Sequence, residues 1–233
     1  MTAAHTGDSS AVAALLAAID DGLSRVLDGT STPSAWVDAA HLSRPARAHL
    51  ASLLGQGEIT ATLMGLTPAS IRETSLPGVW LVDAPERQGI EIALVPTLIE
   101  EAARRSPRPL RLPESLPDGA MNVRPVLGEI VHHLPGREQT QEINLTLLPM
   151  TEVDHQILAD ALGPTRVDLW SRGYGSCHVV LTDLGRVWRI RHYTSEERLI
   201  LDMVQVGGVP VAIAATLEDM ADAHASLRDL SVG

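Results

Sequence analysis

Cys177, the only cysteine, lies in Ser171-Arg172-Gly173-Tyr174-Gly175-Ser176-Cys177-His178, where a thiol, a guanidinium, an imidazole and a phenol crowd together. Such a run offers three chemistries. A thiol near Arg172 and His178 could ionise and act as a nucleophile, because nearby positive charge favours the thiolate. Cysteine and histidine together could ligate a metal. Tyr174 and Arg172, with Trp170 just before them, could anchor a protein partner. Spacing narrows the choice. Adjacent strand residues point to opposite faces, so Cys177 and His178 do not easily share one ion. No acid stands at a spacing that completes a Cys–His catalytic group. A free cysteine is most often a small buried hydrophobe, and that is the simpler reading of Cys177. Gly173-Tyr174-Gly175 is glycine-spaced like a phosphate-binding turn, but strand-like runs flank it on both sides. Phosphate loops need a helix N-terminus, and none is predicted there.

The chain supplies its own control for this run, which reads as a loop-like insertion. Leu54-Gly55 matches Leu162-Gly163 and Val79-Trp80 matches Val187-Trp188, both at an offset of 108, with Gly65/Gly173 and Thr74/Thr182 on the same offset. At that offset Cys177, Tyr174 and Arg172 face Ala69, Leu66 and Met64. A fold unit that works without those side chains in one copy does not need them for folding in the other.

Stepping along the chain, the pattern predicts a tail over 1–9 and a helix over about 11–27, where Val12, Leu15, Leu16, Ile19, Leu23 and Val26 recur at helical spacing behind Ser10. Each copy then reads as a helix, four strands and a helix. In the first copy these fall at about 43–54, then 57–64, 69–74, 78–84 and 89–95, then 96–105. In the second they fall at about 151–162, then 166–171, 177–182, 186–193 and 198–206, with Pro210 opening a helix to about 226. Val95-Pro96 matches Val209-Pro210 at an offset of 114, so the second copy gains six residues around 192–198. Short connections favour antiparallel neighbours. The expected fold is α+β: two tandem related helix–four-strand antiparallel meander–helix units in a pseudo-symmetric globule, plus an N-terminal helix. The expected divisions are 1–41, 42–106, 107–149 and 150–226. The third is a Pro/Arg-rich connector, read as an extended linker with solvated arginines, followed by a helix over 121–134 and a short strand or extended run at 143–149.

Alternation places the remaining candidates. Val167 and Leu169 take an apolar face, so Arg166, Asp168 and Trp170 take the polar one. Trp170 stands where the first copy has Thr62; it is either a partner anchor or a residue covered by the extra sequence of this copy. Trp188, shared with Trp80, reads as core. Arg189 and Arg191 alternate with it and form a solvated edge or a contact for an acidic partner.

Composition excludes several classes. All 18 basic residues are arginine, against 29 acidic ones, for a net charge of −11. That balance argues against nucleic acid as a partner. One cysteine forbids an internal disulfide and an all-cysteine cluster site. No apolar run reaches the ~20 residues of a membrane span, the first residues lack a secretory leader's basic region, and a cytoplasmic protein is expected.

Longer motifs carry a resemblance. Met121-Asn122, Pro125-Val126-Leu127, Glu129-Ile130, Ile143 to Pro149, Leu162-Gly163, the Ser-Arg-Gly-Tyr-Gly-x-Cys run, Val187-Trp188 and Asp202 to Pro210 together resemble the HupH/HyaF family of NiFe-hydrogenase expression and maturation proteins. Leu54 to Glu58, Ile71-Arg72-Glu73 and Pro77 to Trp80 are similar to it in the first copy. Ser176 and His178 replace the Asn and Arg of the family's Gly-Asn-Cys-Arg run. The resemblance implies an accessory protein rather than an enzyme, with no cofactor of its own. Its partners would be the iron–sulfur small subunit of a hydrogenase before export and a thioredoxin-like accessory protein. The contact surface expected on the second copy comprises Trp170, Ser171, Arg172, Gly173, Tyr174, Gly175, Cys177, His178, Arg189 and Arg191. Two other readings of the residues stay open: a thiol enzyme using Cys177, and a transient iron or iron–sulfur carrier.

Overall fold

A computed structural model describes residues 2–30, 34–65, 68–104, 108–110, 112–134, 140–173 and 175–232. Among them the fold is α+β, with six α-helices and ten strands. The chain forms two compact units: Met1–Thr62, Leu66–Leu98 and Ile213–Gly233 make the first, Leu63–Gly65 and Ile99–Ala212 the second.

The first unit holds α1 (Thr2–Leu27), β1 (Ala35–Asp38), α2 (Arg44–Leu54), β2 (Ile59–Leu63), β3 (Ala69–Glu73), β4 (Val79–Ala84), β5 (Arg87–Ile92) and α6 (Leu217–Val232). Its strands lie in the order β1-β5-β4-β3-β2. Local chemistry explains the elements. The Ser43 side chain accepts the Ala46 N–H at the start of α2, a proline occupies its first turn, and Gly55, at φ +67°, ends it. Strand residues Ile59, Ala61 and Leu63 are buried at period two, as are Ala69 and Ile71. The helices cover the other face of the sheet. Val12, Leu15, Ile19 and Leu23 of α1 pack with Leu50 and Leu54 of α2, Met220, Ala223 and Leu227 of α6, and Val79, Ile90 and Ile92.

The second unit holds α4 (Val123–His133), β6 (Gln141–Asn144), α5 (Glu152–Leu162), β7 (Thr165–Gly173), β8 (Gly175–Thr182), β9 (Val187–Tyr193) and β10 (Leu199–Val206), with α3 (Thr97–Arg104) counted here from Ile99. The strand order is β7-β8-β9-β10-β6. Val126, Leu127 and Ile130 of α4 and Leu158 and Leu162 of α5 pack on Val187, Val204 and Val206. Asp154, fully buried, ties the two helices together. It closes a capping box with Thr151 and also accepts the backbone N–H groups of Met121, Asn122 and Val123 at 2.8–3.2 Å. Burial pushes its carboxyl up, but these hydrogen bonds outweigh burial and hold it down at about 2.

Several expectations change. The first helix begins at Thr2, not after a nine-residue tail, since adding Ala3 and Ala4 to an established helix costs little. The segment after Pro210 is a 3-10 turn, Val211–Ile213, and α6 starts at Leu217 behind Thr216, whose hydroxyl accepts the Asp219 N–H. That helix packs on α1, so it falls outside the second unit despite ending the second copy in sequence. In the connector, Arg108 is exposed, as expected, but also tethered: it donates to the Ala161 carbonyl and lies 3.5 Å from Asp183. Short edge strands β1 and β6 pair antiparallel with β5 and β10, so helix, strand, helix, four strands, helix is the order along 2–104 and again along 123–232.

Candidate partner-binding surface

The run that read as a loop is a β-hairpin. Strand β7 continues to Gly173 and β8 begins at Gly175, paired Gly173↔Gly175, Arg172↔Ser176, Ser171↔Cys177 and Trp170↔His178. Tyr174 lies outside the described residues. Strands β7 and β8 run nine and eight residues where β2 and β3 run five each, so the segment is a longer ladder and not an inserted loop. The next pairings, Ser176↔Tyr193, Cys177↔His192 and His178↔Arg191, carry the register into β9.

Register sorts the candidates onto two faces. Trp170, His178 and Arg191 form one cross-strand row, flanked by Arg172–Ser176–Tyr193 on one side and Asp168–Val180–Arg189 on the other. Trp170 stacks on His178 at 4.2 Å between ring centroids and 10° between planes, with Tyr193 at 6.1 Å. The Arg172 guanidinium carbon sits 5.1 Å from the Trp170 ring centre, a cation–π arrangement. His178 Nε2 lies 3.3 Å from both Asp168 oxygens, so the imidazole is held from one side by a ring and from another by a carboxylate. Trp170 and His178 are half-buried and Arg172 is exposed. Where β10 meets β9, a bulge between Leu199 and Leu201 leaves Leu199 and Ile200 more than half exposed.

The two strand arginines differ from expectation. Arg189 donates to both Asp202 oxygens, at 3.0 and 2.8 Å, with only 12 % of its side chain exposed, and Arg191 lies 3.6 Å from the same carboxylate. They form a charge cluster around buried Asp202 rather than a solvated edge.

Cys177 lies on the opposite face, in the row Ser171–Cys177–His192, next to the row of Leu169, Val179 and Ile190. It is 8 % exposed, and burial raises its thiol from 9.0 to about 11. Its sulfur lies 3.8 Å from His192 Nε2. The setting expected to favour a thiolate is therefore not formed: His178 and Arg172 both lie with Trp170 on the opposite face of the sheet. A shift from 9.0 to about 11 cuts the thiolate fraction at neutral pH about a hundredfold. Alkylation of the native protein should follow a pH profile with its midpoint near 11, read by mass spectrometry; a midpoint at or below 9 would contradict the burial seen here. Among the described residues no group of three or more His, Cys, Asp or Glu side chains is placed to hold a metal ion. Nor is any described helix long and apolar enough to cross a membrane.

Alternation sets Tyr193 with Arg189 and Arg191 and Asp168 with Trp170, but sequence reasoning missed the cross-strand partners: Asp168 for His178, Asp202 for the two arginines and His192 for Cys177. A hairpin turn placed between Gly173 and Gly175 would have paired Trp170 with His178 and exposed the whole row.

The model of the HupH hydrogenase expression protein, C-terminal conserved region, matches residues 10–104 and 120–232. The chain belongs to the HupH hydrogenase expression protein family. Among relatives, the hydrogenase expression/formation protein HoxQ of Azotobacter vinelandii is 37% identical over 192 residues, 78% of this chain and 68% of that protein. The hydrogenase expression/formation protein HupH of Rhodobacter capsulatus is 32% identical over 231 residues, 96% of this chain and 82% of that protein. A solved structure of the hydrogenase expression protein HupH from Thiobacillus denitrificans is 28% identical, with a TM-score of 0.45, and covers 48% of this chain and 95% of its own. Both segments matched by the HupH model span a full set of helices and strands, one in each half of the chain.

Proposed function

We propose that this chain is a non-catalytic accessory protein of NiFe-hydrogenase maturation, and that it holds the iron–sulfur small subunit in the cytoplasm before export. Its relatives are named hydrogenase expression/formation proteins, which supports the pathway. The single observation that carries the contact surface is the half-buried Trp170, stacked on His178 and capped by Arg172, at a position where the first copy has only Thr62. A tryptophan held rigid but not covered loses little entropy when a partner seats on it. Exposed Leu199, paired with Tyr193, adds apolar area to the same face. A thioredoxin-like accessory protein is the second partner, and two related units of one ancestral pattern form the scaffold. The neutral, buried thiol gives the thiol-enzyme reading no support.

The test is a pull-down and binding titration with the unexported small subunit. Trp170→Ala should weaken binding by about 30-fold, the effect of losing a hot-spot aromatic, and should lower hydrogenase activity in the same strain. Leu147→Ala, at a position 79% exposed in the second unit, should change neither. Equal binding by both variants, with unchanged activity, would remove this face from the function.

A further inference from the structure

A second site, unrelated to the tryptophan face, lies wholly within the first unit. Helix α2 and the sheet face of β3, β4 and β5 enclose an open cleft of about 430 Å³. Leu50, Leu81 and Ile90 give it an apolar floor, and Arg44, Arg47 and Arg72 converge on it from the helix and from β3. Arg47 donates from Nη1 to Gln88 Oε1 at 2.6 Å, and Gln88 in turn donates to Asp83 at 3.0 Å, so these three groups are mutually satisfied. The Arg44 and Arg72 side chains are exposed and, among the described residues, have no hydrogen-bond or ion-pair partner. Three guanidinium groups face one carboxylate in a chain whose net charge is −11.

The fold does not require that charge. At the offset of 108, Arg44, Arg47 and Arg72 correspond to Glu152, His155 and Val180 of the second unit. There the equivalent sheet positions are closed by the Arg189–Asp202 pair instead. Keeping two unpaired arginines over an apolar floor costs like-charge repulsion and brings no structural return. Guanidinium forks match planar carboxylates, and the volume lies within the range of pockets that take small ligands or a few side chains.

We infer that the cleft between α2 and β3–β5 binds an acidic peptide segment of a partner protein, with a carboxylate between Arg44 and Arg72 and a neighbouring aliphatic side chain on Leu50, Leu81 and Ile90. The site is independent of Trp170, and its ligand need not be the client proposed above.

An NMR titration of the full chain tests this. An octapeptide of alternating Glu and Leu, in low salt, should shift the amides of Ser70, Arg72 and Leu81, and the effect should fall as salt is raised. Arg44→Gln/Arg72→Gln should weaken the peptide at least tenfold; both positions are exposed, and circular dichroism confirms that the fold is kept. The matched Gln/Leu peptide should leave the same amides unmoved. Shifts shared by both peptides, shifts located elsewhere, or unchanged affinity in the double variant would each overturn the inference. So would saturation of the same amides by acetate at equal affinity, which would mark a small-anion site only.

Discussion

Replacing Asp154 with alanine should cost the protein about 3–5 kcal/mol of stability, measured by urea unfolding at pH 7. The carboxylate accepts four backbone N–H groups, from Thr151, Met121, Asn122 and Val123. Its loss would remove the reciprocal half of the α5 capping box, leaving the Thr151 hydroxyl cap in place, and orphan the entry to α4 at once, in a site closed to water. The charge itself has a separate signature. Because the folded pKa is lowered from 3.8 to about 2, the ionised form contributes stability above pH ~4, and that contribution is lost as pH falls from there through about 2. The shift corresponds to roughly 2.5 kcal/mol. Asp154→Asn keeps the shape and removes the titration, so its stability should lack that acid limb. An identical acid dependence in wild type and Asn variant would mean that another carboxylate sets it.

Gly175→Ala should be the most damaging single change in the hairpin. Gly175 adopts φ +100°, where a side chain is strained, and an added Cβ would lie 2.7 Å from the backbone carbonyl oxygen of Tyr193. The contact cannot be relieved by turning a side chain; β8 must shift against β9, and β8 carries the His178 on which Trp170 stacks. Gly65→Ala isolates the first factor, since Gly65 has φ +117° and open space around it. Strain alone costs about 1–3 kcal/mol. The Gly175 variant should lose clearly more, with a lower Tm and faster hydrogen exchange in β7 and β8. Its near-ultraviolet circular dichroism from Trp170 should collapse, whereas that of the Gly65 variant is kept. Equal losses in the two variants would show that the Tyr193 contact relaxes freely.

Much of this architecture is legible in the sequence, for reasons visible in single residues. Ser43 and Gly55 mark the ends of α2, and strand alternation puts Val167 and Leu169 inside with Trp170 outside. What failed depends on distance along the chain. Edge strand β1 is only four residues long, too short for its alternation to stand out, and the run read at 143–149 is strand only to Asn144: β6 begins at Gln141 and a 3-10 turn, Leu145–Leu147, follows it. The true start of α6 was marked by Thr216-Leu217-Glu218-Asp219, a capping pattern overshadowed by Pro210. Within the site, alternation orders residues on one strand but says nothing about the next strand until a turn fixes the register. That is why Cys177 and Trp170 were joined on one surface, although the ladder puts them on opposite sides. No local pattern announces that α1 is covered by α6.

That last pairing bears on how the protein is made. Asp20 meets His224 at 3.0 Å and Arg228 at 3.2 Å, across a separation of 208 residues in the latter case. Helix α1 leaves the ribosome early with Val12, Leu15, Ile19 and Leu23 bare on one side, and the helix that covers them is translated some two hundred residues later. At ~5–20 residues per second the nascent chain would carry that sticky stripe for ten seconds or more. A protein whose proposed task is to shelter an unfinished client would itself pass through an interval in which it needs shelter.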